Sequence, residues 1–110
     1  DYPDFADRLA AALSAGRAPR GVIVCGTGIG IAIAANRHNH IRAAVCHDET
    51  STRLARQHND ANVLALGARL IGPETAKACL RVFLETGFDG GRHRRRVAKL
   101  TPSLADEEVN

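Results

Sequence analysis

Apolar residues recur at helical spacing in two long segments of the chain. In residues 4–15 apolar side chains recur at every fourth position, as at Leu9 and Leu13, which is typical of an amphipathic helix. A second segment begins at Pro73 and repeats its apolar residues at i, i+3, i+4, i+7 and i+8 until Gly87. Proline suits a first helical turn and glycine a helix end, so both segments are predicted to be helices.

Three short apolar runs alternate with helical segments. They cover residues 22–25, 42–46 and 62–66, and their near-continuous apolar character is typical of strands buried on both faces. The order α, β, α, β, α, β, α, α predicts parallel strands with right-handed crossovers. We therefore expect a three-layer, Rossmann-like (flavodoxin-type) open α/β sheet. The remaining helices are expected over residues 29–36, from the cap Asp48 to 58, and over 92–100.

The composition is that of one small globular domain. The chain has 110 residues, of which 45% are hydrophobic and 25% charged. No apolar run approaches the roughly 20 residues of a membrane helix, and the opening DYPDF lacks the pattern of a secretory signal. Three scattered cysteines, without a Cys-x-x-Cys pair, favour neither a disulfide framework nor a zinc site. The expected compartment is the reducing cytoplasm.

The net charge of +3 is unevenly distributed. Basic side chains crowd the segment 92–99, whereas residues 106–108 are all acidic. This favours a local anion site over a generally basic surface. We place one domain at residues 1–100 and expect residues 101–110 to form a flexible tail.

The turn after the first strand is the most informative feature of the sequence. Gly26, Gly28 and Gly30 alternate there, so that backbone N–H groups are free to point into one space. The next helix adds its positive end, and the turn lies at the carboxyl end of a parallel strand. A plain tight turn needs fewer glycines, so the pattern favours an anion site.

A dinucleotide is one candidate for that anion. Asp48 follows at the distance expected of a ribose-binding acid, whereas Ile31 replaces the third glycine of the Rossmann fingerprint. An NAD-binding module therefore stays open as an alternative at this point.

Cys25 favours a catalytic site instead. A thiol beside several N–H donors and a helix start should have a lowered pKa, and its thiolate would be a base or nucleophile next to an oxyanion hole. The alternative is that Cys25 is a small buried residue of the core without a chemical role. Cys46 and Cys79 fit that alternative, since one ends a strand and the other lies on an apolar helix stripe.

Two further groups of residues carry possible chemistry. His58 ends a helix, where it is either a solvated residue stabilised by the helix dipole or an acid–base group facing the same carboxyl-edge cleft. Arg92, Arg95 and Arg96 share one face of the last helix. That face is a solvated surface, a nucleic-acid contact or a clamp for one phosphate. The near absence of aromatic residues argues against a base-stacking platform.

Several motifs, in order and at matching spacing over residues 1–100, resemble the ribose-5-phosphate isomerase B and galactose-6-phosphate isomerase family. They are Tyr2-Pro3-Asp4-Phe5-Ala6, Gly21-Val22-Ile23-Val24-Cys25-Gly26-Thr27-Gly28-Ile29-Gly30, Ile33-Ala34-Ala35-Asn36, Ala43-Ala44-Val45-Cys46-His47-Asp48, His58-Asn59-Asp60-Ala61-Asn62, Leu64-Ala65-Leu66-Gly67-Ala68-Arg69 and Gly91-Arg92-His93 with Arg96-Val97.

The resemblance implies a function and a set of roles. The chain would isomerise a phosphorylated sugar between aldose and ketose, with ribose 5-phosphate to ribulose 5-phosphate as the first expectation. Cys25 would be the base at C2, Thr27 a proton shuttle and His58 the group that opens the sugar ring. The implied substrate-binding residues are Gly26, Thr27, Gly28, Ile29, Gly30, Asn59, Arg69, Arg92, Arg96 and Tyr2.

The resemblance also implies an assembly. Members form homodimers or tetramers whose sites are shared between subunits, without a metal or organic cofactor and without nucleic-acid or membrane partners. Which sugar phosphate is the substrate stays open, since pentose, hexose and tetrose phosphates all fit the motifs.

In one respect the sequence departs from the family. Members begin with a strand, an Asp-His-Ala-Gly motif, a helix and a second strand, none of which precedes Asp1. The first strand would lie beside 22–25, so that run is expected at an open sheet edge, with unpaired N–H and C=O groups. We accordingly expect residues 1–110 alone to be poorly soluble or inactive.

Overall fold

The computed structural model describes residues 1–101 and contains all the predicted helices and strands. Their bounds lie within about two residues of the expected ones, which is the usual uncertainty of element ends. The elements are α1 Tyr2–Ser14, β1 Gly21–Cys25, α2 Ile29–Ala35, β2 Ala43–Val45, α3 Glu49–Asn59, β3 Val63–Gly67, α4 Pro73–Glu85 and α5 Arg92–Ala98. Apart from Thr101, the tail expected at 101–110 lies outside the described residues.

The three strands form a parallel sheet in the order β1-β3-β2. Cys25 on β1 pairs with Gly67 on β3, and Ala43 on β2 pairs with Val63. All five residues of β3 are buried, as expected for the central strand of a covered sheet. Within the described residues β1 pairs on one side only, and Val24 on it is 53% exposed. The expectation that this strand forms an edge is confirmed for the described part of the chain.

Helices cover both faces of the sheet, which confirms the three-layer α/β architecture. Alternate residues of β3 point to opposite faces, so Val63 joins the cluster under α1 and α2 and Leu64 joins the cluster under α4. Cys79 and Phe83 fill the second cluster at 0% and 1% exposure. Cys46 lies beside them, which confirms the prediction that Cys46 and Cys79 are core residues. Among residues 1–101, no helix has the length and apolar character needed to cross a membrane.

A buried arginine ties the end of α3 to the loop that leads to α5. Arg56 is 3% exposed. Its Nε donates to the Thr86 carbonyl at 2.9 Å, and its Nη1 donates to the Asp60 carboxylate at 2.9 Å and to the Ala61 carbonyl at 2.8 Å. A buried guanidinium needs such partners to offset its desolvation.

Removal of this buried charge should be far more costly than removal of an exposed one. Arg56→Met removes the donor to Oδ1 of Asp60 and to two carbonyls, while Arg42 still reaches Oδ2 at 3.4 Å, and it should lower the free energy of unfolding by about 3–5 kcal/mol. Arg37→Met is the matched control, since the Arg37 side chain is 58% exposed where it pairs with Asp7, and its loss should cost at most about 1 kcal/mol. Urea unfolding of both variants measures the difference, and equal midpoints would contradict the assignment.

Candidate active site

The turn after β1 rests directly on the backbone at the end of β3. A Cβ at Gly67 would lie 2.6 Å from the Thr27 carbonyl oxygen, and a Cβ at Gly28 would lie 3.0 Å from the Leu66 carbonyl carbon. Gly28 also has φ +79°, which side chains rarely adopt. Both positions therefore require glycine for the turn to pack this closely.

Backbone hydrogen bonds join the two segments just beyond this contact. The N–H of Ala68 donates to the Cys25 carbonyl at 2.9 Å, and the N–H of Arg69 donates to the Gly26 carbonyl at 3.0 Å. The segment after β3 is thus held in register with the segment after β1, and both leave the carboxyl edge of the sheet together.

The Cys25 thiol is half-buried and faces the N–H groups of the turn. The N–H of Gly28 donates to Sγ at 3.2 Å. Burial acts to raise the pKa of the thiol, but hydrogen bonding from the N–H groups of Ile31, Thr27, Gly28 and Gly30 outweighs it, and the pKa of Cys25 is lowered. Donors aimed at sulfur favour the thiolate. This environment is the one expected of a reactive thiol, and the reactivity itself stays a prediction.

Other predicted residues gather around the same turn. Oγ1 of Thr27 accepts from the N–H of Ile29 at 3.2 Å, which leaves the Thr27 hydroxyl hydrogen free to donate. The Arg69 side chain lies against Gly26, where a Cβ would be 3.5 Å from its Cδ and Nε. The exposed Tyr2 ring packs on Gly30, where a Cβ would lie 2.9 Å from the ring atoms Cε1 and Cζ. The turn residues 26–30, Tyr2 and Arg69 thus form one group with Cys25.

A second group forms where α3 meets α5. The His58 ring stacks on the His93 ring with centroids 4.2 Å apart and planes at 12°. Burial, followed by the charges of His58, Arg92 and Arg96, lowers the pKa of His93. Asn59 ends α3 beside this stack, and Arg92 and Arg96 are exposed on α5. His93 was not predicted as a site residue, since a stack between residues so far apart has no signature along the chain.

The two groups lie at opposite ends of the sheet. Cys25 ends β1 opposite Gly67, at the carboxyl edge. His58 lies near the end of α3, just before Val63 opens β3 at the amino edge. Four residue steps at roughly 3.3 Å each place these edges about 13 Å apart along the strand. The interpretation that His58 faces the same carboxyl-edge cleft is wrong within one subunit, because α3 runs back across the sheet.

Asp48, the acid considered for a dinucleotide ribose, serves as a helix cap. Its Oδ1 accepts from the Ser51 N–H at 2.6 Å, and this bond is the main cause of the lowered pKa of the carboxyl. Ile31 is 2% exposed and belongs to the core under α1 and α2. Neither position therefore supports a dinucleotide site. Among residues 1–101, His, Cys, Asp and Glu side chains form no group of three or more placed to hold a metal ion.

Comparison with known proteins assigns the chain to a family. The family model described as Ribose/Galactose Isomerase matches residues 1–100. Ribose-5-phosphate isomerase B of Escherichia coli is 48% identical over 101 residues, which cover 92% of this chain and 68% of that protein. D-erythrulose-4-phosphate isomerase of Pectobacterium atrosepticum is 50% identical over 99 residues, covering 90% and 65%. The chain belongs to the ribose/galactose isomerase family.

Solved structures of similar proteins agree with the fold. A ribose 5-phosphate isomerase from Thermotoga maritima superposes with a TM-score of 0.90 at 50% identity, covering 92% of this chain and 70% of that one. The type B ribose 5-phosphate isomerase of Trypanosoma cruzi gives 0.88 at 44% identity, covering 91% and 67%. The match to isomerase structures confirms the Rossmann-like α/β sheet that the sequence predicted.

The environment of Cys25 leads to a prediction about its reactivity. Because the thiolate is the nucleophile, its lowered pKa should move the midpoint of iodoacetamide alkylation to a lower pH than that of an ordinary cysteine. Cys46 should react slowly, since burial raises its pKa. Peptide mapping of the alkylated protein across a pH series measures both sites, and Cys25→Ser should remove the fast phase. An ordinary midpoint at Cys25 would show that the N–H groups do not stabilise the thiolate.

Proposed function

We propose that the protein is an aldose–ketose isomerase of phosphorylated sugars, with Cys25 as the base and ribose 5-phosphate as the first candidate substrate. The observation that carries the proposal is the Cys25 thiol held by the Gly28 N–H, 3.2 Å away, in a glycine turn packed on β3. Support comes from the relatives that are named as sugar-phosphate isomerases.

The chemistry is a proton transfer between adjacent carbons. The Cys25 thiolate removes the proton at C2 of the open-chain aldose. The C–H electron pair forms a C1=C2 double bond, and the carbonyl pair moves onto O1. A proton then passes from O2 to O1, for which the Thr27 hydroxyl is the proposed shuttle. The Cys25 thiol returns its proton to C1, which leaves the ketose carbonyl at C2 and regenerates the thiolate.

The turn supplies electrostatic stabilisation of the enediolate. Residues 26–30 present backbone N–H groups beside the thiol, and such fixed dipoles need no reorganisation as charge develops on O1 and O2. In the free protein the Gly28 N–H faces Sγ and the Ile29 N–H faces Thr27. Protonation of the thiol during the reaction weakens the first of these bonds, so the Gly28 donor becomes available to the substrate oxygen.

The remaining roles belong to the group at α3 and α5. We assign ring opening to His58, a substrate hydroxyl contact to Asn59, and phosphate binding to Arg92 and Arg96, whose forked guanidinium groups suit a phosphate dianion. Arg69 and Tyr2 contact the substrate from the Cys25 side. Because the two groups lie at opposite edges of the sheet, a second subunit is needed to bring them together. We therefore propose a homodimer, alone or within a tetramer, whose sites are shared.

The natural substrate is one of several phosphorylated sugars. Relatives of similar identity carry names for ribose 5-phosphate and for D-erythrulose 4-phosphate isomerisation. A coupled assay over pentose, hexose and tetrose phosphates identifies the preferred chain length. Steep salt-dependent nucleic-acid binding without isomerase activity would assign α5 to a nucleic-acid contact and contradict the proposal. The free thiols of Cys25, Cys46 and Cys79 fit a reducing cytoplasm, which we propose as the location.

Removal of the thiol tests the assignment of the base. In the chain preceded by the family's N-terminal Asp-His segment, Cys25→Ala should lower kcat by at least about 100-fold, the lower end of general-base contributions, because the thiolate is the proposed acceptor of the C2 proton. Cys79→Ala is the matched control: it should lower the unfolding midpoint through the cavity left in the core and leave kcat near that of the parent. Steady-state kinetics and urea unfolding separate the two effects. Comparable kcat values for Cys25→Ala and the parent protein would remove Cys25 from the mechanism.

Subunit mixing tests the shared site. Cys25→Ala and His58→Ala each disable every site in their own homodimer. In a random one-to-one mixture after subunit exchange, half of the dimers are mixed and each has one intact site, so about a quarter of the parent activity should return. Mixing Cys25→Ala with Cys25→Ser is the control and should recover nothing. A Cys25–His58 mixture that stays inactive while exchange is shown by native mass spectrometry would place the whole site in one subunit.

A further inference from the structure

His47 contacts Gly67, the residue on which the Cys25 turn rests. It follows β2, is half-buried, and its Nε2 accepts from the Gly67 N–H at 3.2 Å. An imidazole nitrogen accepts a hydrogen bond only without a proton, so this bond is one that the ring makes with Nε2 unprotonated.

The Gly67 N–H lies beyond the last residue pair of β2 and β3, and its hydrogen bond to His47 takes the place of a bond between the two strands. β2 ends at Val45, which pairs with Ala65, and the Cys46 N–H makes a last bond to the Ala65 carbonyl at 3.3 Å. The register therefore ends two residues before Gly67 on that side. His47 extends the pairing by one bond through its side chain, and Gly67 stays fixed beyond the end of β2.

Gly67 is the residue on which the Cys25 turn rests. A Cβ there would lie 2.6 Å from the Thr27 carbonyl oxygen. The next two N–H groups, of Ala68 and Arg69, donate to the carbonyls of Cys25 and Gly26 at 2.9 and 3.0 Å. A displacement of Gly67 would consequently move Thr27, Arg69 and the N–H groups that face Sγ.

We propose that His47 is a positioning residue for the Cys25 turn, acting through its Nε2 acceptor on the Gly67 N–H. It holds the end of β3 so that the turn N–H groups stay aimed at sulfur and the Arg69 side chain stays over Gly26. The inference rests on the proposed function only in connecting this geometry to turnover. The effect on the Cys25 thiol itself is independent of any substrate.

Three substitutions separate the acceptor from the bulk of the ring. In His47→Gln the amide oxygen reaches the place of Nε2, so the bond to Gly67 is retained. In His47→Leu no acceptor is present. In His47→Asn the side chain stays polar but is too short for its oxygen to reach the Gly67 N–H. Cys79→Ala serves as the control for general loss of stability, since Cys79 is buried on α4 in the core cluster on the other side of the sheet from the one that Cys25 packs against.

The first measurement is the alkylation midpoint of Cys25, which requires no isomerase activity. His47→Leu and His47→Asn should shift the midpoint to higher pH, towards that of an ordinary cysteine, and should speed hydrogen exchange at the Gly67 N–H. His47→Gln and Cys79→Ala should keep the parent midpoint. The comparison of His47→Asn with His47→Gln tests the role of the acceptor even where His47→Leu does not fold.

The second measurement is turnover. Loss of the acceptor should lower kcat roughly fivefold, the effect of one ordinary hydrogen bond, with KM little changed, and His47→Gln should restore kcat. A parent-like midpoint and kcat in both His47→Leu and His47→Asn would overturn the proposal, as would a His47→Gln variant that behaves like His47→Asn. If no variant or parent isomerises sugars, the proposed function fails while the alkylation result still decides the role of His47.

Discussion

The close backbone contact between the turn after β1 and the end of β3 organises the whole carboxyl edge. It exists because Gly67 and Gly28 have no Cβ to separate the two segments. Hydrogen bonds alone would not bring the chains so close, since they tolerate side chains on either residue. Once the contact is made, the Cys25 sulfur lies among N–H donors and Arg69 crosses Gly26. One packing constraint therefore places the donors that lower the pKa of the thiol and positions a cation beside them.

The amino edge is organised by a different interaction, a buried charge. Arg56 connects the Asp60 carboxylate at the end of α3 to the Thr86 carbonyl before α5. This link fixes the two segments whose side chains stack as His58 on His93. A packed glycine contact at one edge and a buried ion pair at the other are separated by the rigid, fully buried β3. Each edge is thus built by its own interaction without depending on the other, which suits the shared site proposed for two subunits.

Local patterns in the sequence were sufficient for the elements and for the Cys25 turn, because both depend on residues within a few positions of one another. The contacts that complete the site join residues about 20 to 40 positions apart, such as Gly67 with Thr27, His47 with Gly67, and His58 with His93. Spacing along the chain carries no trace of these. The position of His58 is different, since it follows from topology: a crossover helix starts at the carboxyl edge and must end at the amino edge. The residue type of His58 indicates acid–base chemistry, whereas the edge at which it lies depends on the path of α3 across the sheet.

The electrostatics of the amino edge explain why its cations are mostly arginines. Burial, followed by the charges of His58, Arg92 and Arg96, lowers the pKa of His93, which disfavours a further positive charge at this edge. The positive charge on α5 is then carried by guanidinium groups, which do not titrate in the physiological range. The α5 segment Arg92–Ala98 contains no acidic residue to neutralise them. A bound dianion would relieve their mutual repulsion, so this concentration of positive charge favours the phosphorylated ligand proposed above.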